Sequence, residues 1–266
     1  MEKQVTAEQW RGTLYPARLP SFHRLPPPEP LQEVVRWFWI PEWELAPGRV
    51  SRQEVLPFPA LNLVVEQDGV SLNGPATRRS FRDLRGTGWA VGMLLRPAAV
   101  PAFTEDPGSL RDGAVSVDAG DLYADVAAAM EGGGEHRREQ AAAAAGHWLA
   151  HRVPEPLPDD GALANRLEDL IQSDPALTRV DQAAGQLGVS VRTLQRLARR
   201  HVGLPPLAMI RRYRLQEAAE RLRLAPETPI ADIAAELGYA DHAHLAADFR
   251  SVLGFTPSGY RRSAAD

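Results

Sequence analysis

The amino-acid sequence predicts an α+β protein in two parts, a β-rich N-terminal half and an all-α C-terminal half. Three observations carry this. The chain has 266 residues, enough for two domains. Its first hundred or so residues hold short apolar runs separated by Gly- and Asn-containing turns, the punctuation of a strand-rich fold. Its last third repeats one plan about fifty residues apart: a helix with small residues, a Leu-Gly stop, an apolar turn residue, a capping polar residue, then a second amphipathic helix.

In order along the chain, Pro26 to Pro30 stiffen the approach to the apolar run Val34 to Ile40. Leu61 to Val65 and Trp89 to Leu95 read as buried strands, with turns at Asp68-Gly69 and Asn73-Gly74. Pro97 to Phe103 opens a short helix, and a longer one spans Asp121 to Met130. Residues 1–130 are thus expected to form one β-rich domain. Glu131-Gly132-Gly133-Gly134 breaks the chain, Glu135 to His151 reads as an Ala-rich helix, and Val153 to Pro158 as an extended Pro-rich linker, so residues 131–160 join the halves. That helix pairs either with a second subunit or with its own domain, and the sequence leaves both open.

Residues 161–264 carry the repeated plan. Two helices that cross steeply need small side chains where they touch, and Ala183, Ala184, Ala234 and Ala235 supply them. Gly188 and Gly238 stand where a left-handed residue ends a helix at least cost. Val189 and Tyr239 turn inward, and Ser190 and Asp241 cap the next helix. In the first of these following helices Val191, Leu194 and Leu197 form the buried stripe, which leaves Arg192, Gln195, Arg196, Arg199 and Arg200 on other faces. Arg192, Gln195 and Arg196 share one face. Arg pairs with guanine and Gln with adenine, each bidentately, so these three are the candidate base readers in a DNA major groove. Arg199, Arg200, Arg211, Arg212, Arg261 and Arg262 are candidates for phosphate contact, Arg211 and Arg212 being equally placed to brace the joining helix.

The second unit is poorer in such groups. Its turn is one residue longer, so Leu245 stands where Leu194 does, and Ala243, Ala246 and Ala247 replace Arg192, Gln195 and Arg196. His242 and His244 remain as candidates near the helix start. The expectation is that the first unit supplies most discrimination, while the second positions the chain through phosphates and its helix N-terminus. Charge points the same way. The whole chain carries a net charge of -4, but Pro175 to Ala225 holds ten Arg against three acids, whereas Pro226 to the end holds three Arg against six acids.

From Gly161 to Arg262 the chain resembles the DNA-binding domain of AraC/XylS-type transcription regulators. The residues that carry the resemblance are Pro229-Ile230-Ala231-Asp232-Ile233-Ala234, Leu237-Gly238-Tyr239, Leu245, Phe249-Arg250, the closing run Gly254 to Arg261, and the connecting segment Pro206 to Ala219. The resemblance implies that a linker helix sets two reading helices into successive major grooves, about 34 Å apart. This sequence departs from the family at Ala247, where a longer polar residue, often Arg, is usual. The run Val91 to Pro97, with Leu110-Arg111-Asp112 and Val115, is similar to an uncharacterised sensor-like domain found ahead of this DNA-binding domain. That likeness implies a small cupin-like β-barrel that binds an effector, mediates dimerisation, or does both.

Missing chemistry narrows the field. There are no cysteines, which removes disulfides, thiol nucleophiles and Cys-based zinc sites and fits a reducing cytoplasm. The N-terminal half has no His-x-His, against a metal-bearing cupin, and His147 and His151 read as incidental on one helix face. No Gly-rich phosphate loop, nucleophile elbow, signal or membrane span is legible. No acid/base constellation argues for an enzyme, and no cofactor is implied. Candidate effector contacts are Arg52, Trp37 and Trp89, with Trp39 and Arg96, because apolar walls with one charge make a ligand pocket; the same residues read more readily as core tryptophans and surface arginines. The expected partner is double-stranded DNA, followed by a small-molecule effector, RNA polymerase and a second copy of the chain. The alternative is a sensor whose DNA domain is competent only when an effector or partner is bound.

Overall fold

The computed structural model of the chain describes residues 21–55, 57–134 and 136–265. The first twenty residues of the expected sensor domain, and Glu135 at the expected start of the Ala-rich helix, lie outside the described residues. The N-terminal half is β-rich, as expected. Its strands are β1 (Ser21–Leu25), β2 (Val35–Glu44), β3 (Val50–Val55), β4 (Asn62–Glu66), β5 (Gly69–Asn73), β6 (Ser80–Arg85), β7 (Thr87–Leu95) and β8 (Ala114–Ser116). Six of them form an antiparallel sheet in the order β1-β2-β7-β4-β5-β8, and β3 and β6 form a separate two-stranded ribbon.

β7 is the spine of the sheet. Gly88 to Leu95 are all buried, which is why this stretch reads as a continuous apolar run rather than an alternating one. It pairs with β2 on one side and β4 on the other. Gly92 makes room for Trp39, since a Cβ there would sit 1.9 Å from the indole. The Trp39 indole donates to Asn62 Oδ1 at 2.9 Å. β4 and β5 close through Asp68-Gly69, where Gly69 takes φ +131°. The short helix expected at Pro97 is a 3₁₀ turn, Pro97–Ala102.

Helices α1 (Gly120–Glu131) and α2 (Arg137–Ala150) cover this sheet. Leu122, Val126 and Met130 of α1 and Ala141, Ala145 and Leu149 of α2 share one core with Phe38, Ile40, Leu63, Val91 and Met93. The Ala-rich helix therefore lies against its own domain. His147 and His151 stand edge to edge at 4.4 Å, and His151 Nδ1 is 2.8 Å from the His147 carbonyl.

The C-terminal half consists, among the described residues, of α3 (Asp159–Ser173), α4 (Val180–Leu187), α5 (Val191–His201), α6 (Pro206–Leu224), α7 (Ile230–Glu236), α8 (His242–Leu253) and α9 (Pro257–Ala265). The two repeats use separate cores. The first packs Leu167, Ile171, Ala184, Leu194 and Leu197 with Met209, Ile210 and Tyr213, and this cluster continues into Phe58, Ala60 and Leu94 of the N-terminal half. The second packs Ile233, Ala234, Leu245, Phe249 and Tyr260 against Leu215, Ala218 and Leu222 of α6, with no apolar core residue from the N-terminal half among the described residues.

A polar cluster seals the seam between the halves. Glu168 on α3 is 1% exposed. It accepts from Arg36 Nη2 at 2.9 Å and from the Tyr213 hydroxyl at 3.1 Å, and lies 3.4 Å from Arg96 Nε. Asp169 accepts from both arginines, at 2.9 Å and 2.6 Å. Asn165 accepts from the Ala98 N–H and donates to the Glu33 carbonyl, both at 2.9 Å. Burial, followed by the Glu168 charge, pushes the Tyr213 hydroxyl well above its ordinary pKa, so it stays a neutral donor. Arg96, a candidate effector contact by sequence, is thus a structural cation.

Candidate DNA-reading surface

The first unit is built from α4, a tight turn and α5. Before α4, Gln182 Oε1 accepts from the Arg179 N–H at 3.0 Å and the Thr178 N–H at 3.1 Å, satisfying donors that a helix start leaves open. Gly188 ends α4 in the left-handed region at φ +68°, and the Val189 N–H reaches back to the Ala184 carbonyl at 3.0 Å. Ser190 Oγ then accepts from the Thr193 N–H at 3.1 Å and starts α5. Leu194, Leu197, Ala198 and His201 face inward. Val191, expected in that stripe, is 37% exposed, because the first turn of α5 projects beyond the core.

The opposite face of α5 carries Arg192, Gln195, Arg196 and Arg199, all exposed. None of the four makes an ion pair or side-chain hydrogen bond with the described residues. Arg200 differs, since its Nη1 lies 3.2 Å from Asp160 Oδ2 at the start of α3.

The second unit repeats the geometry with one residue more. Gly238 takes φ +68°, the Tyr239 N–H reaches the Ala234 carbonyl at 2.9 Å, and the additional residue is Ala240. Asp241 Oδ1 accepts from the His244 N–H at 2.7 Å, the counterpart of the Ser190 cap. Leu245, Asp248, Phe249 and Leu253 are buried. Ala235, expected at the helix crossing, is exposed, and Ile233 and Ala234 fill the crossing instead. His242, Ala243, His244, Ala247 and Arg250 are exposed, with Ala246 half-buried. The His244 ring stands edge-on to Tyr239 at 5.1 Å.

Arg250 was missed by reading the sequence, although the signal was there. It lies five positions after Leu245, as Arg199 lies five after Leu194. Asp248 is turned inward instead, where Arg211 Nε donates to it at 3.3 Å and the Tyr239 hydroxyl at 3.4 Å. The hydrogen bond that Arg211 donates to Asp248 holds its guanidinium above the ordinary pKa. The outward line of α8 from Ala243 to Arg250 therefore presents no acid.

Several arginines from the phosphate set are engaged within the fold. Arg212 donates to the Ala76 and Thr77 carbonyls at 3.0 and 2.8 Å, bracing α6 against the N-terminal half. Arg261 Nη2 donates to the Thr228 carbonyl at 2.6 Å, tying α9 to the entry of α7. Arg262 is exposed.

The candidate effector residues separate. Arg52 and Trp89 line one groove of about 660 Å³ between the β3–β6 ribbon and the end of the main sheet. Trp37 lies elsewhere, at the seam, edge-on to Phe58 at 5.5 Å with the Arg24 guanidinium 4.3 Å from its ring. Among the described residues there is no group of three metal-ligating side chains, and no helix is long and apolar enough to cross a membrane.

Comparison with known proteins places these two halves. Residues 183–263 match a helix-turn-helix domain family, and residues 23–115 match a domain of unknown function, DUF6597. The HTH-type transcriptional activator RhaS of Escherichia coli O9:H4 (strain HS) is 34% identical over 82 residues, 31% of this chain and 29% of RhaS. The chain thus spans less than a third of the length of such curated relatives. Among solved structures, the C-terminal domain of AraT, a response regulator from Geobacillus stearothermophilus, is 28% identical with a TM-score of 0.36, over 38% of this chain and 84% of that one. An apo variant of ToxT from Vibrio cholerae strain SCE256 is 12% identical with a TM-score of 0.46, over 85% of this chain and 97% of that one.

Proposed function

We propose that this chain, an AraC/XylS-type regulator by its tandem helix-turn-helix half, binds a specific promoter element in double-stranded DNA and changes transcription there. One observation carries the reading. α5 presents Arg192, Gln195, Arg196 and Arg199 as an exposed row that is engaged by nothing else among the described residues, on a helix whose other face is buried. Such a row is what direct readout of a major groove requires. Arg192, Gln195 and Arg196 read base edges in this proposal, and Arg199 contacts phosphate. Arg200 joins it by exchanging Asp160 for DNA.

In the second unit His242 and His244 flank the N-terminus of α8 and position it on phosphate, with Arg250 at the far end of the same face. Arg261 acts by holding α9 in place rather than through direct contact. α6, of 19 residues, spans about 28 Å between the units. Residues 1–130 serve as sensor or dimerisation domain, 131–160 as connection and 161–264 as DNA-binding domain. The chain works in the cytoplasm without enzymatic chemistry, alongside RNA polymerase and as a candidate homodimer.

A second reading, in which the DNA domain becomes competent only when an effector binds, is favoured by the groove at Arg52 and Trp89. Both readings are tested by titrating purified protein against fragments of its own upstream region, with excess nonspecific DNA and graded salt. Sharp, competitor-resistant binding to one fragment supports a regulator competent without ligand. Only weak, steeply salt-dependent binding removes that reading and leaves the effector-dependent one.

A further inference from the structure

From the contacts at the ends of α5 and α8 we infer that Arg79, in the N-terminal half, positions the second helix-turn-helix unit and so selects the half-site spacing that the chain accepts on DNA. This rests on the regulator reading and places a specificity determinant outside the DNA-binding half. The two helices end alike. α5 is followed by Gly203 at φ +77° and α8 by Gly254 at φ +74°. Each glycine is packed against the N-terminal half more closely than a left-handed turn requires. A Cβ at Gly203 would come within 2.6 Å of the Gly108 nitrogen, and one at Gly254 within 2.7 Å of Arg79 Nε.

Each end also receives a donor from that half. Arg111 Nη2 donates to the Gly203 carbonyl at 2.9 Å. The Arg79 N–H donates to the Val252 carbonyl at 3.1 Å, in the last turn of α8, where carbonyls lack partners within the helix. The Arg79 guanidinium lies 4.4 Å from the Phe255 ring, at the end of α8 where a helix dipole favours a cation. The two donors belong to one knitted pair of loops. The Gly74 N–H donates to the Gly113 carbonyl at 2.9 Å and the Asp112 N–H to the Pro75 carbonyl at 3.3 Å. The Asp112 carboxylate accepts from the Thr77 N–H at 2.6 Å and from the Thr77 hydroxyl. Arg212, from α6, donates to the Ala76 and Thr77 carbonyls in the same loop. A run of bonds thus leads from the end of α5 through Arg111, Asp112 and Thr77 to Arg79 and the end of α8.

The two ends differ in what else holds them. The first unit shares a core with Phe58, Ala60 and Leu94, and His201 Nδ1 lies 2.9 Å from the Pro97 carbonyl. The second unit packs on α6 through a separate core, an apolar contact that is non-directional. Directional contact between the N-terminal half and the α8–α9 corner comes at Arg79. Arg79 therefore fixes how that unit is turned about α6. One base pair inserted between half-sites moves one of them about 3.4 Å and turns it about a tenth of a revolution. A unit tied at Arg79 does not follow that turn, and an untied one does.

The test uses the full chain, which has no cysteine of its own, so that Arg196→Cys on α5 and Ala247→Cys on α8 take a pair of spin labels uniquely. Label distances are measured without DNA. The parent gives one narrow distribution and Arg79→Ala a broader or shifted one, whereas Arg111→Met, at the end held also by the shared core, leaves it narrow. A parent distribution that is already broad, no change in Arg79→Ala, or equal broadening by Arg111→Met overturns the inference. Unlabelled proteins are then compared on the upstream fragment that the parent retains, with and without one inserted base pair. The insertion weakens the parent at least about tenfold, and Arg79→Ala brings that ratio towards one. An unchanged ratio, or tighter binding of Arg79→Ala at the original spacing, overturns the inference. A chain whose labels respond to Arg79→Ala but that binds no promoter fails the regulator reading alone, and one that binds a promoter with unresponsive labels fails this inference alone.

Discussion

Replacing Glu168 by Gln keeps the shape of the side chain and removes its charge from the seam between the halves. The carboxylate is 1% exposed and faces Arg36 at 2.9 Å, Arg96 at 3.4 Å and the Tyr213 hydroxyl at 3.1 Å. Removing one partner from a buried ion cluster costs about 3–5 kcal/mol, because the opposite charges stay behind without water. Asp169 remains at 2.9 Å from Arg36 and 2.6 Å from Arg96, so the lower end of that range applies. For a chain of this size about 3 kcal/mol lowers the melting temperature by roughly 6–12 °C. Asp169→Asn is the control, because that side chain is 53% exposed and solvent screens it, so it costs about 1 kcal/mol or less. The measurement is thermal unfolding by circular dichroism at neutral pH, in parallel with urea titration. A Glu168→Gln protein that melts within about 2 °C of the parent, or one no less stable than Asp169→Asn, would refute the claim that this carboxylate holds the seam.

Other expected outcomes concern the reading surface and its supports. Arg196→Ala costs about 1–3 kcal/mol on the cognate element and relaxes one base position, measured by gel shift over a set of point-mutated sites; equal loss on every sequence would make it a phosphate anchor. Gly238→Ala destabilises more than Gly188→Ala. Both sit at φ +68°, but an added Cβ at Gly238 meets Thr178 Cγ2 at 2.6 Å and at Gly188 meets nothing within 4 Å. Urea midpoints of the two variants decide it, and equal losses would mean that backbone strain alone sets the cost. Arg212→Met leaves the Ala76 and Thr77 carbonyls unpaired and lowers stability by about 1–3 kcal/mol, with salt-dependent DNA binding unchanged in slope. A slope reduced by about one would instead make Arg212 a phosphate contact.

The helical half was legible because its signals are local. A Gly that must be left-handed, a capping side chain two or three residues later and a buried Leu four after that fix each unit within a dozen residues, and even the one-residue insertion at Ala240 could be counted. The buried strands β4 and β7 were legible as apolar runs. The β3–β6 ribbon was not, since Ser51-Arg52-Gln53 and Phe81-Arg82-Asp83 alternate nothing hydrophobic and, among the described residues, only Gln53 and Leu84 are buried in it. The seam was equally hidden. Arg36 and Glu168 are separated by 132 positions, and no periodicity links residues that meet only through tertiary packing. For the same reason Arg96 and Arg261 looked like free cations in the sequence and are engaged in the fold, whereas Arg212, equally open to a bracing role by sequence, takes that role. Among the candidate effector residues the topology joined Arg52 of β3 with Trp89 of β7 and set Trp37 of β2 apart, against Phe58 at the seam.

The division of apolar cores has a mechanical consequence. The first helix-turn-helix unit shares its core with the N-terminal half, whereas the second has a core of its own, and both are strung on α6. The apolar division therefore crosses the middle of α6, between Tyr213 and Leu215, and beyond it the helical half meets the β-rich half through directional contacts instead, from the Arg79 N–H to the Val252 carbonyl and from Gln216 to the Pro57 carbonyl.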